Sequence, residues 1–317
     1  MNDSAAVAGQ ASGSPAPRRP QRPREMQDAL NHYLYHPLAW QLARQLAKTP
    51  LTPNMVSVIG AFFVIGAAVA YAQPGWPFTA MLGMALHMGW HVVDGADGDL
   101  ARITGRASPI GEMVDGLCDY SSHIVLYLVL GWLLHTAIGT GAAVAWMLAA
   151  GISHIIQSNH VEVQRRSYQW WVYGTPWIRM SHGSSDAATR KSVFGALVSA
   201  YLAVAGKMTP HARRIDALVE AAKDDPQVLA RIRAVVRAEA PPLLRICKIL
   251  GPNPRAVVLG IAMIAGGSAT QAVDGTMGPL WYFIYQSVVL NLVLVWSLVA
   301  HNAAARRMAD ELEAELG

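Results

Sequence analysis

Asp94-Gly95-Ala96-Asp97-Gly98-Asp99-Leu100-Ala101-Arg102, then eight residues, then Gly111-Glu112-Met113-Val114-Asp115-Gly116-Leu117-Cys118-Asp119, is the stretch around which the chain is organised. Segments apolar enough to cross a bilayer flank it on both sides. Side chains three or four apart share a helix face, so Asp94 and Asp97 align with Gly98 and Ala101, and Asp115 aligns with Asp119. Folding the two helices back across residues 104–109 brings these four carboxylates together. Like charges beside lipid repel and are costly, and hard divalent cations with oxygen ligands, Mg2+ or Mn2+, resolve the conflict. Small residues at Gly98, Ala101 and Gly111 leave room for a bulky ligand, while Arg102 adds a permanent charge with a fork suited to phosphate. Metal ions, an arginine and space together suggest a pyrophosphate.

Working outward, 53% of the 317 residues are hydrophobic and only 15% are charged, and the mean hydropathy is +0.26. That is too apolar for an ordinary soluble domain. The net charge of +4 is read as a report of membrane topology, so nucleic acid is not an expected partner. Cys118 and Cys247 lie far apart in unlike segments and match no disulfide or metal-ligand spacing.

The expected fold class is all-α and integral to the membrane: a six-transmembrane-helix bundle with cytoplasmic and interfacial helices. Residues 1–25 read as a disordered basic tail without the apolar core of a signal peptide. Residues 26–50 read as a juxtamembrane amphipathic helix or a soluble capping helix. Four spans and the aspartate motif fall in residues 51–165, with Thr52 and Pro53 suited to start the first of them. Residues 166–254 are richer in Arg and Lys and read as a cytoplasmic or interfacial insertion, in which Trp170, Trp171, Tyr173 and Trp177 suit the headgroup zone. The apolar run 192–206 is shorter than the roughly 20 residues needed to span. Two more spans occupy residues 255–302, and residues 303–317 form a charged tail. The outer turns hold no Lys or Arg, only Asp274, so both termini and the aspartate stretch are expected on the cytoplasmic side.

The spacing Asp, two residues, Asp-Gly, two residues, Ala-Arg, eight residues, Gly, three residues, Asp, three residues, Asp resembles at every position the signature of the CDP-alcohol phosphotransferase (CDP-alcohol phosphatidyltransferase) family. The resemblance implies transfer of a substituted phosphate from a CDP-linked donor to an alcohol, with release of CMP. It implies that Asp94, Asp97, Asp115 and Asp119 hold a pair of Mg2+ or Mn2+ ions, and that Asp119 is also the base acting on the acceptor hydroxyl. Gly98, Ala101, Arg102, Ser108 and Gly111 fall at the donor-binding positions. Residues 104–112 are similar to the choline and ethanolamine phosphotransferases, which act on a lipid alcohol. Those enzymes usually carry His after the third aspartate, where this chain has Gly116. The reading adopted is therefore a bacterial inner-membrane phospholipid synthase using CDP-diacylglycerol. Members are often dimers, so a homodimer joins donor, acceptor and bilayer among the expected partners.

Other residues carry competing readings. A cation transporter could use the same carboxylates, but they lie near one membrane face, away from the midplane. His87 and His91 have a zinc-compatible spacing, with polar lining of a cavity the favoured reading. His154, His160 and Glu162 could select the acceptor or simply hydrogen-bond, and Arg165, Arg166 and Arg255 could grip an acceptor phosphate. Asp99 and Glu112 point to other faces, toward solvent or Arg106.

Overall fold

A computed structural model describes residues 22–175, 209–266 and 277–316. The tail up to residue 21, Trp177, the run 192–206 and Asp274 lie outside the described residues. Among the described residues every regular element is helical and no strand occurs. A π-helical turn (Asn31–Tyr35) leads into α1 (His36–Leu46), followed by α2 (Pro53–Ala72), α3 (Phe78–Ile103), α4 (Pro109–Ile138) and α5 (Thr140–Tyr173). Three shorter helices come next, α6 (Ala212–Ala221), α7 (Pro226–Glu239) and α8 (Pro241–Ile249). Then come α9 (Pro252–Gly266), α10 (Gly278–Ile284), a π-helical turn (Tyr285–Val289) and α11 (Leu290–Leu316). At the start of α2 the Thr52 hydroxyl accepts from the Met55 amide at 3.3 Å, and Pro53 occupies the first turn, where no amide is needed.

Five stretches are long and apolar enough to cross a membrane: Pro53–Ala72, Ile110–Ile138, Thr140–Tyr173, Pro241–Gly266 and Gly278–Glu315. The chain is an all-α integral membrane protein. Six spans were expected, and α3 accounts for the difference. Its 26 residues suffice in length, but His87, His91, Asp97 and Asp99 interrupt its apolar surface, and all four are buried. Walled by α1, α2 and α9, α3 can carry polar groups that a lipid-facing helix could not. The close packing of α2 on α3 depends on Gly83, where a Cβ would come within 2.5 Å of the Tyr71 ring. Val64, Tyr71, Trp90, Leu130, Leu259 and Phe283 belong to the main core, which joins α2, α3, α4, α5, α9 and α10.

At about 1.5 Å per residue, the 34 residues of α5 run well past a hydrocarbon layer of roughly 30 Å. The overshooting end packs with α6, α7 and the end of α11 into a second core that includes Trp171, Ile215, Ile232, Val236, Ala305 and Leu312. The boundary expected at residue 165 thus falls inside α5, and the one at residue 302 inside α11. What reads as a charged tail is the last turns of a long helix whose apolar face is covered. Around this second core Arg214 pairs with Asp310 at 2.7 Å and Arg307 with Glu239 at 3.0 Å. Exposed pairs of this kind are screened by solvent and contribute little, so apolar burial holds the unit together. Trp171 donates its indole N–H to Asp216 at 2.8 Å inside this core. It is a packing residue, and the headgroup-belt expectation does not apply to it because α6 and α7 cover its ring.

Candidate active site

Reversal of the chain between α3 and α4 places the carboxylates. The Arg106 amide returns to the Ala101 carbonyl at 2.9 Å and the Gly105 amide to the Arg102 carbonyl at 3.4 Å. With Gly105 at φ +66°, this is the Schellman closure, which needs a left-handed residue after the cap. Ser108 then caps α4, accepting from the Gly111 amide at 3.0 Å. Three of the expected donor-binding positions, Ala101, Ser108 and Gly111, therefore also have work in the turn itself. Over Gly98 lies the Arg102 guanidinium, whose nearest nitrogen would be 3.5 Å from a Cβ at that position. A Cβ on Gly111 would meet Asn54 Oδ1 at 3.5 Å, so the start of α2 abuts the same turn.

Carboxylate oxygens of Asp94, Asp115 and Asp119 lie within 4.8 Å of one another. Asp97 is adjacent to Asp115 but turns toward α2, where the Ser57 hydroxyl donates to its Oδ2. Residues at i and i+3 diverge by about 60° around a helix axis, which lets Asp94 face one neighbour and Asp97 another. Trp90 donates its indole N–H to Asp119 Oδ1 at 3.1 Å. Among the described residues no Lys or Arg forms an ion pair with any of these four aspartates. Such a set of converging, unneutralised oxygens suits a divalent cation. Ser57 and Trp90 were not singled out from the sequence; the available signal was a single serine on a mostly apolar helix and an indole four residues before Asp94.

Asp99 corrects an expectation. It is buried and pairs with Arg102 and with Arg22 at 3.2 Å, not with solvent or Arg106. Arg22 was assigned to a disordered tail, yet the segment it opens is strapped onto the bundle. Gln27 donates to the Arg22 carbonyl at 2.6 Å, and Glu25 accepts from Tyr168 and Tyr173 at 3.1 and 2.6 Å. Burial pushes the Arg22 guanidinium below its ordinary value, an effect that Asp99 partly offsets. Replacing Asp99 by Asn leaves both arginines without their anion, and the expected cost is about 1–3 kcal/mol of stability. Thermal melting and limited proteolysis near residue 22 check this; an unchanged melt and cleavage rate would show that the strap contributes nothing.

A cavity of about 1020 Å3 opens beside the carboxylates and is lined by Asp94, Asp115 and Asp119 on one side. His154, Glu162, Arg165, Arg166 and Arg255 line its other parts. Glu162 pairs with Arg165 at 2.8 Å and with Arg166 at 2.6 Å, so this trio largely satisfies itself. Arg255 differs: it is 3% exposed, donates to Ser158 at 2.9 Å and Gln157 at 3.1 Å, and leaves Nε without a partner. It makes no ion pair among the described residues. His87 and His91 also line the cavity, with nearly parallel rings 6.3 Å apart between centroids. They do not fall within the carboxylate cluster that could share an ion. Ile124, Leu128, Leu148 and Ile152 flank the cavity along α4 and α5 and are more than half exposed on the outer surface. The chamber thus has a charged end and an apolar margin toward the bilayer. His160 turns away from it, toward Ser297.

Among curated proteins no match was found. The family model described as CDP-alcohol phosphatidyltransferase matches residues 50–205, which hold α2 to α5 and every aspartate of the cluster.

Proposed function

From the premise that this chain belongs, through residues 50–205, to the CDP-alcohol phosphatidyltransferase family, we propose that it moves a phosphatidyl group from CDP-diacylglycerol to an alcohol bearing an anionic group. The observation that carries this reading is the shared cavity: converging carboxylates at one end, an unpaired buried arginine on another wall, and an apolar margin fit for acyl chains. An isolated buried cation is costly, and an anionic acceptor would offset that cost on binding.

Asp94, Asp97, Asp115 and Asp119 would hold the Mg2+ or Mn2+ pair, a role that fits the crowding of the Asp94, Asp115 and Asp119 oxygens, with Asp97 beside Asp115, and no paired cationic side chain among the described residues. When bound, the ions supply neutralisation of the donor's pyrophosphate and of the departing CMP. Asp119, oriented by Trp90, takes the proton from the acceptor hydroxyl. The acceptor oxygen bonds to the β-phosphorus, the one bearing diacylglycerol, as the bond from that phosphorus to the bridging oxygen breaks; CMP leaves with that oxygen. Arg102, beside Gly98 and the turn formed by Ala101, Ser108 and Gly111, binds donor phosphate. The aspartates and both termini lie on the cytoplasmic side of a bacterial inner membrane, where CDP-linked lipids are consumed in phospholipid synthesis.

The direct test is CMP release by purified protein given CDP-diacylglycerol, Mg2+ or Mn2+, and a panel of phosphorylated and neutral alcohols. Release that depends on a phosphorylated alcohol is expected. No CMP from any CDP-linked lipid would end the transferase reading, and release with neutral alcohols alone would end the assignment of an anionic acceptor.

A further inference from the structure

We infer that the protein carries a second metal site, for a soft divalent ion of the zinc type, formed by His160 on α5, Cys247 on α8 and His301 on α11. Ligand atoms of these three residues lie within 4.8 Å of one another, and all three are buried. They come from helices far apart in sequence, so no ligand spacing announces them. The Cys247 Sγ to His301 Nε2 distance is 3.6 Å. A tetrahedral ion with Zn–S near 2.3 Å and Zn–N near 2.0–2.1 Å separates sulfur from nitrogen by about 3.6 Å, the edge already present here.

Tautomer and partners favour coordination independently of that distance. His301 Nδ1 donates to the Ser297 carbonyl at 2.8 Å, which leaves the Nε2 lone pair facing the Cys247 sulfur. Fixing one imidazole nitrogen on a backbone carbonyl so that the other can bind metal is the usual outer-shell arrangement of ligating histidines. His160 is 0% exposed; its Nε2 meets the Ser297 hydroxyl at 2.8 Å, and its Nδ1 has no partner. The two rings stand edge to face at 5.3 Å. Thiolate and imidazole select zinc-like ions, whereas the aspartate cluster, all oxygen, selects hard ions, so the two sites take different metals. Cys247 also lines the cavity. An ion here clasps α8, part of the cavity wall, to α5 and α11, a positioning role separate from phosphoryl transfer.

Cobalt(II) as the probe separates the sites, because only thiolate ligation gives an intense sulfur-to-cobalt charge-transfer band. Full-length protein stripped with chelator and titrated with Co2+ is expected to show that band with tetrahedral visible bands at one equivalent. Zn2+ is expected to displace Co2+ and to raise the melting temperature of the stripped protein. Cys247→Ser should lose the band, His301→Gln should weaken Co2+ binding by at least about 10–100-fold, and Cys118→Ser and Asp119→Asn should keep it. Wild-type protein that shows no charge-transfer band at saturating Co2+ overturns the site without recourse to any variant. A band lost in Cys118→Ser and kept in Cys247→Ser overturns it as well, by moving the thiolate to the aspartate cluster. Neither result bears on CMP release, so this inference and the proposed activity fail separately.

Discussion

Asp119→Asn is expected to lower CMP release by about 10²–10⁴-fold, the usual contribution of a positioned general base. The substitution keeps an oxygen that can accept from Trp90 Nε1, now 3.1 Å from Oδ1, so the local packing has no reason to change. It removes the negative charge that would take the acceptor's proton and weakens one of several oxygen ligands to the ions. Donor binding should therefore fall far less than turnover, because Asp94 and Asp115 remain within the same 4.8 Å cluster. Equilibrium binding of labelled CDP-diacylglycerol beside CMP release measures both quantities. Full residual turnover would remove Asp119 as the base. Equal losses in binding and turnover would make it a ligand and nothing more.

The sequence carried the carboxylate motif because helix periodicity alone puts Asp115 over Asp119 and Asp94 near Asp97. It also carried the start of α2, since a Thr-Pro pair has few other uses before an apolar run. Tertiary contacts were out of its reach. Asp97 is held by Ser57, forty positions earlier, and Asp99 by Arg22, seventy-seven positions earlier, and no local rule pairs residues so distant. Hydropathy is also a weak guide to α3, because the polar residues that lower it, His87, His91, Asp97 and Asp99, are buried against protein and free of the lipid constraint that makes spans recognisable. The same limit hid the His160, Cys247 and His301 cluster: the cysteines look unrelated in a linear scan, and only the packing of α8 against α11 brings sulfur to imidazole.

Replacing Arg255 by Met separates a ligand-binding arginine from a structural one, because the two roles predict opposite signs. As a structural residue, Arg255 would hold Gln157 and Ser158, and its loss would lower the melting temperature while leaving kinetics intact. Yet Gln157 Oε1 also accepts from Gln286 at 2.7 Å, so the buried amide keeps a partner without the guanidinium. Removing an uncompensated buried charge and filling its stem volume with an apolar chain is often neutral or stabilising. The expected result is an unchanged or higher melting temperature. The KM for a phosphorylated acceptor, in contrast, should rise about 10–150-fold, the equivalent of a charge-assisted hydrogen bond worth about 1.5–3 kcal/mol. Turnover at saturating acceptor should change little, because Arg255 is assigned to binding and not to the reacting atoms. Arg255→Lys keeps the charge but loses the fork, so its KM should fall between the two. A lower melting temperature with an unaltered acceptor KM would return Arg255 to the structural role and leave the anionic end of the acceptor without its binding group.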